Sequence, residues 1–231
     1  MRGCNKMTQE NSGGQKKRIV ILGGGFGGAY TAQRLEKKAQ RMGYEVVLID
    51  RRNYFIFTPL LVEAGTGSLE PRHAVVSIRD FLRHTKFTMA EVSGVDVENQ
   101  EVHCQVPGHD EESRIRYDHL VVSLGGVTLM PPIPGLREYA FEMKTIGDSV
   151  AMRDRTIQML EIANATENLK DRRALLTFVF VGGSYTGVEA AGEFQAFLNE
   201  AVKHYENLKP SDIQFVLVER SDRILRTLDE S

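Results

Sequence analysis

Ile19–Leu22 is an unbroken apolar run behind the basic stretch Lys16–Arg18, and Gly23–Gly28 follow it. An uninterrupted run of this kind reads as a buried parallel strand. Past the glycines, Ala29, Ala32, Leu35 and Ala39 recur at steps of three and four, which predicts a helix from about Ala29 to Arg41. Tyr44–Asp50 is apolar again, so the chain opens as strand, helix, strand. Asn53–His73 is rich in turn formers and reads as a loop-like insertion, with a short helix in Ser77–His84. Phe87–Val106 and Arg114–Gly126 alternate like strands of a meander, and Met130–Leu136 punctuates the chain with prolines. A long amphipathic helix is expected from Ser149 to about Asn164, on Val150, Ile157 and Leu160, with Asp148 or Ser149 as its cap. The opening pattern then returns: strand Thr177–Val181, a glycine turn, a helix to about Asn207, and strand Ile213–Glu219. The class is α/β, with two dinucleotide-type units whose intervening segments differ.

Each unit carries its chemistry in the turn. In the first, Gly23, Gly25 and Gly28 hold the G-x-G-x-x-G positions, with Phe26 and Gly27 between them. The first glycine makes the tight turn, the second lets backbone approach a pyrophosphate, and the third lets helix pack on strand. The diphosphate then meets free N–H groups at the positive end of the helix. Asp50 closes the next strand 22 residues beyond Gly28, where a carboxylate can accept ribose hydroxyls, and Arg51 adjoins it. In the second unit Gly182, Ser184 and Gly187 take the three positions, with Tyr185 and Thr186 between, and Glu219 closes the next strand. A serine at the middle position adds a Cβ where the pyrophosphate approaches, and its hydroxyl offers a phosphate a hydrogen bond in return. Glu219 repels a 2′-phosphate and so favours NADH; Arg220 beside it is a residue type that accepts one.

Composition narrows the classes. The 231 residues are 42% hydrophobic and 26% charged with a formal net charge of -2, which gives no reason to expect nucleic acid. Cys4 and Cys104 read as unpaired thiols. The six histidines show no metal-ligand spacing, so no metal is expected. There is no apolar run long enough to span a bilayer, and the N-terminus lacks a signal-peptide core, so residues 1–15 read as a disordered tail and the protein as cytoplasmic. Two dinucleotide sites in one chain suggest hydride transfer from a nicotinamide to a flavin, chemistry that needs no general base from the protein.

The quoted residues resemble one family, the type II NADH dehydrogenases, which are single-chain flavoenzymes that reduce quinones. The likeness runs through residues 17–231: Arg18–Leu35 resembles the family's FAD turn, Asn53–Leu82 its loop beside the flavin, Tyr117–Gly126 the strand returning to the FAD, and Val179–Phe194 the NADH turn. The resemblance implies a two-dinucleotide-binding-domain flavoprotein, with residues 16–145 as the first FAD segment and 146–231 as part of an inserted NADH domain. It implies that Gly23, Gly25, Gly28 and Asp50 hold the ADP half of FAD. Val92 would offer its backbone to the adenine, and Thr58, Pro59 and Gly125 would line the flavin. Glu189, the candidate catalytic residue, matches a family glutamate facing the flavin–nicotinamide junction, which implies a positioning residue with a part in proton supply to the quinone site; the other reading is a first-turn glutamate favoured by the helix's positive end.

Family members continue well past the equivalent of Ser231, into a second FAD segment, quinone-site residues and amphipathic membrane-docking helices. The chain is accordingly expected to be the N-terminal portion of a longer, peripherally membrane-bound parent on the cytoplasmic face, with a homodimer left open. Residues 146–231 are expected to be the less stable part. Three readings compete with quinone reduction: a dinucleotide-binding fragment without turnover, a ferredoxin-type reductase and a sulfide:quinone reductase. The last lacks counterparts for its catalytic cysteines, and residues 51–80 hold none of the redox pair that a disulfide reductase carries there.

Overall fold

The computed structural model describes residues 16–228; the expected tail 1–15, with Cys4, lies outside them. In chain order the elements are β1 (Arg18–Leu22), α1 (Phe26–Arg41), β2 (Glu45–Asp50), β3 (Tyr54–Ile56), α2 (Leu61–Thr66), β4 (Val75–Ser77), α3 (Ile78–Phe81) and β5 (Lys86–Met89). There follow β6 (Glu91–Asp96), β7 (Glu101–Gln105), β8 (Ser113–Arg116), β9 (His119–Val122), α4 (Leu136–Tyr139), α5 (Ile146–Ala165), α6 (Leu169–Leu175), β10 (Thr177–Val181), α7 (Tyr185–Ala201) and β11 (Gln214–Val218). Two compact units emerge: the first runs to Ile56 and resumes over Val76–Val127, the second takes Phe57–Val75 and the chain from Thr128 onward. This division differs from a single boundary near residue 145, because the insertion after β3 packs with the later half.

The first unit is built on a parallel sheet in the order β5-β2-β1-β9. Ile19 pairs with Val46 on one side and His119 on the other. Alternation sends Ile21, Val46 and Leu48 to one face, where Ala29, Ala32 and Ala39 of α1 cover them. Val20, Leu22, Val47 and Ile49 go to the other face, under Val102 and Cys104 of the antiparallel ribbon β6-β7-β8. The expected meander is thus three strands, not five: β5 and β9 belong to the parallel sheet, a distinction that local alternation cannot carry. Glu36 on α1 is buried, and its Oε2 accepts from the Arg83 and His84 amides at 3.1 and 2.9 Å, fixing the turn into β5. The Cys104 thiol is free and buried, and burial raises its pKa.

The second unit holds the parallel pair β10-β11, in register from Thr177↔Gln214 to Val181↔Val218. Its core joins Leu160 and Ala163 of α5 with Leu176, Leu198, Val202 and Leu208. The helix α5 starts at Ile146, earlier than expected, with Thr145 as its cap. Asp148 is the return half of a capping box: its amide donates to Thr145 Oγ1 at 3.1 Å while its Oδ2 accepts from the Thr145 amide at 2.8 Å. Its buried face is Ser149, Thr156, Leu160 and Ala163, and Ile157 is exposed. Small residues serve there because α2 passes close, and a Cβ on Gly65 would touch Ser149 Cβ at 3.4 Å. The segment read as loop contains this α2, with Leu61, Val62 and Ala64 buried and Gly67 closing it in the left-handed conformation. The helix α7 ends at Ala201 rather than Asn207, passing into a single 3-10 turn over Val202–His204.

Candidate functional site

The two glycine turns share one backbone geometry. Gly23 and Gly182 leave their strands at φ +96° and +108°, a region closed to other residues without strain. Their amides donate to the carbonyls of Ile49 and Val218, each at 2.8 Å. A Cβ on Gly28 would fall 1.8 Å from the Gly23 carbonyl oxygen, and one on Gly187 would fall 1.9 Å from that of Gly182. The third glycine therefore lets each helix start directly over its own strand. The middle position is different: a Cβ at Gly25 meets nothing within 4 Å. Gly25 caps α1 at φ −79°, and Ser184 caps α7 at φ −78°, so the serine fits the same backbone without strain. Neither cap makes a side-chain hydrogen bond, and neither helix has an acidic residue in its first turn. The amides and the positive helix end remain available to an anion, and the space over Gly25 accommodates one.

The strand-ending carboxylates complete each turn. Asp50 Oδ2 accepts from the Gly24 amide at 2.6 Å and Oδ1 from the Arg52 amide at 2.7 Å. Glu219 Oε2 accepts from the Gly183 amide at 2.7 Å, and Oε1 accepts from the Ser221 amide and hydroxyl at 2.9 and 2.7 Å. The Ser221 amide, the Gly183 amide and the Ser221 hydroxyl together hold the Glu219 carboxyl at a pKa of about 2, against the usual 4.5. Glu219 is thus ionised at neutral pH, and both carboxylates are fixed beside their turns at the ends of their strands. Phe26 and Tyr185 sit at matching positions, half-exposed; Phe26 meets Phe55 edge-on at 5.0 Å. Gly27 and Thr186 complete the two first turns.

Among the other expected residues, Arg51 is exposed and follows Asp50 directly. Val92 lies on β6 just before a bulge, with its side chain packed under the parallel sheet. Gly125 is exposed at φ +74° after β9. Thr58 and Pro59 open a short 3-10 turn leading into α2. In the second unit Pro59 and Glu189 line one cavity of about 410 Å³ with Leu60, Val62, Glu63, Gly192 and Glu193. Glu189 is exposed and stands past the first turn of α7, so the helix's positive end does not account for it. The structure adds Glu63 and Glu193, which sequence reading missed. Glu63 Oε2 is buried with no hydrogen-bond partner among the described residues, and Glu193 Oε2 accepts from the Ser68 hydroxyl at 3.5 Å. Only the packing of α2 on α7 brings these acids together, and no local signal announces it. Among the described residues there is no cluster suited to a metal, and no helix long and apolar enough to cross a membrane.

The model of the pyridine nucleotide-disulphide oxidoreductase family matches residues 17–231. A probable mitochondrial NADH-ubiquinone oxidoreductase of Schizosaccharomyces pombe is 35% identical over 91% of this chain and 39% of its own length. The mitochondrial external NADH-ubiquinone oxidoreductase 2 of Saccharomyces cerevisiae is 34% identical, over 95% of this chain and 41% of its own. The solved structure of NDH2 from Plasmodium falciparum in complex with NADH superposes with a TM-score of 0.85 at 30% identity, covering 94% of this chain and 44% of that one. The chain therefore spans about two-fifths of the length of the relatives it matches.

Proposed function

Because the chain belongs to the pyridine nucleotide-disulphide oxidoreductase family, we propose that it supplies the FAD turn and the NADH turn of an NADH dehydrogenase that passes electrons to a quinone. The observation that carries this reading is the duplicated turn, in which each unit has the same carboxylate brace and the same helix start over its strand. Bound together, a nicotinamide and a flavin supply hydride chemistry, with electrons passing on to the acceptor. The chain's own part is to hold and orient. Gly23–Gly28 cradle one diphosphate and Asp50 its ribose; Gly182–Gly187 cradle the other, and Glu219 takes its ribose and disfavours a 2′-phosphate. Val92, Thr58, Pro59 and Gly125 are assigned to FAD on the same reading. Glu189 orients the acceptor from the cavity it lines with Glu63 and Glu193, on the route of proton supply to it. The parent protein would act peripherally on a membrane; its cytoplasmic face, and a homodimer, remain parts of this proposal, while the relatives' names place those proteins in mitochondria.

The test is a visible spectrum of the purified chain, followed by anaerobic titration with NADH. Flavin bands that bleach on addition of NADH support the reading. A colourless protein that still binds NADH instead selects the second reading, a nucleotide-binding chain without turnover.

A further inference from the structure

Ser123 reaches the first glycine turn from the end of β9. Its amide donates to the Leu22 carbonyl at 2.8 Å, which continues the parallel pairing of β9 with β1. Its hydroxyl donates to the same carbonyl at 2.8 Å and lies 3.4 Å from that of Gly23. The side chain also sits against the start of α1. A Cβ on Gly28 would fall 2.6 Å from Ser123 Oγ, and one on Gly27 would fall 3.2 Å from Ser123 Cβ. One short side chain therefore meets the turn where it leaves β1 and again where it enters the helix.

Two peptide groups carry the chain from β1 toward the space over Gly25: Leu22–Gly23 and Gly23–Gly24. The second has a glycine on each side, and Gly23 is at φ +96°, so its own torsions restrain it little. Their N–H groups are secured from the β2 side. Gly23 donates to the Ile49 carbonyl at 2.8 Å, and Gly24 donates to Asp50 Oδ2 at 2.6 Å. Their C=O groups are secured from the β9 side, by the amide and hydroxyl of Ser123. Opposite poles of the same two peptides are thus held from opposite strands. The electrostatic consequence falls on the anion site. A carbonyl that swung toward the space over Gly25 would set its negative end against a bound phosphate and turn the following amides away from it.

We infer that Ser123 is a positioning residue for the diphosphate of the dinucleotide at the first turn. Its hydroxyl fixes the carbonyls as Ile49 and Asp50 fix the amides, so the amide cradle is set before the ligand arrives. The hydroxyl acts through the backbone of the turn and is not needed to join the strands, because the Leu22 carbonyl keeps the Ser123 amide without it. The inference rests on the reading of the first turn as a dinucleotide site, and the choice of probe lets the two fail separately.

The probe is ADP, titrated into the flavin-free, isotope-labelled 231-residue chain and followed at the amides of Gly25, Gly27 and Gly28. Ser123→Ala removes the hydroxyl and nothing else. It should raise the ADP dissociation constant read at those amides about five- to tenfold, as expected for one lost hydrogen bond. The response of Gly182–Gly187 to ADP should not change. In the ligand-free variant, exchange of the Gly23 and Gly24 amides should speed about fivefold or more, while the amides of Val20 and Leu22 hold their protection. Ser123→Thr keeps the donor and should bind within about twofold of the parent. Should threonine not fold, Ser123→Cys, a weaker donor, should fall between the parent and Ser123→Ala. Equal ADP affinity in parent and Ser123→Ala would overturn the inference. So would a folded Ser123→Thr as weak as Ser123→Ala, or a weakening accompanied by fast exchange throughout β1 and β9, since the hydroxyl would then serve the sheet alone. A parent chain that shows no response to ADP at Gly23–Gly28 would overturn the dinucleotide reading of that turn and this inference with it.

Discussion

Substituting Gly28 with alanine and Gly25 with serine separates the structural from the binding role of the first turn. A Cβ at Gly28 lies 1.8 Å from the Gly23 carbonyl oxygen and 2.6 Å from Ser123 Oγ. Ordinary contact begins at 3.4 Å, so more than an ångström must be absorbed by moving α1 off β1. Overpacking against mobile side chains costs about 1–3 kcal/mol. Here one neighbour is backbone and the other is tied to it, since Ser123 Oγ donates to the Leu22 carbonyl at 2.8 Å. The cost should therefore sit at the top of that range, about 3 kcal/mol, or about 6–12 °C in Tm for a chain of this size. Gly25→Ser adds atoms where nothing lies within 4 Å, at a backbone geometry that Ser184 already shows. It should leave stability within about 0.5 kcal/mol. Both variants should lose flavin retention, the first through a displaced helix and the second through a crowded phosphate site. The assay is thermal unfolding of flavin-free protein by far-UV circular dichroism, since the chain has no tryptophan, with flavin content measured in parallel. A Gly28→Ala protein as stable as the parent, or a Gly25→Ser protein destabilised by more than about 1 kcal/mol, would refute the reasoning.

Four further outcomes are expected. The Glu219 carboxyl is held at a pKa of about 2 against the usual 4.5, so the stability it contributes is complete above pH 4.5 and lost as the pH falls toward 2; Glu219→Gln should flatten acid unfolding of the second unit across that window, read by amide exchange. Thr145→Ala breaks the capping box of α5 and should cost about 1 kcal/mol in denaturant unfolding. Threonine at Val179 and Val216 should reduce binding of a hydrophobic dye with little loss of stability, whereas threonine at Val20 or Val47 should cost about 1–3 kcal/mol. Native-state proteolysis should cut within 146–231 before it cuts the first unit's sheet, and equal protection of both would count against the uncovered valines mattering.

The turns are legible because their glycine spacing is local, and the strand ends that brace them stand at a fixed interval along the chain. Gly23 to Gly28 and Gly182 to Gly187 declare themselves by spacing, and Asp50 and Glu219 by the end of the next apolar run. What escaped was set by distant partners. Leu61–Thr66 reads as loop among prolines and glycines, and becomes helix because Leu61, Val62 and Ala64 find a core. His119–Val122 alternates no differently from the ribbon strands, and only pairing with β1 places it in the parallel sheet. Gly147, two residues past Thr145, weakens the helical pattern there, so periodicity alone points to Asp148 or Ser149 as the cap of α5. Glu63 could not be linked to Glu189, since 126 residues separate them in sequence and only the packing of α2 places them in one cavity.

The carboxylate brace also bears on how such a site can change. On the proposed reading Glu219 would serve two masters: its oxygens would meet the ribose, and they already hold the Gly183 and Ser221 amides in place. A substitution that admits a 2′-phosphate by removing the charge also releases those amides, and the turn must then be ordered by the nucleotide itself. Cofactor preference and loop rigidity would thereby be locked to one side chain. A lineage moving between the two coenzymes would have to replace the brace and the charge in separate steps, so that preference is guarded by folding as well as by recognition.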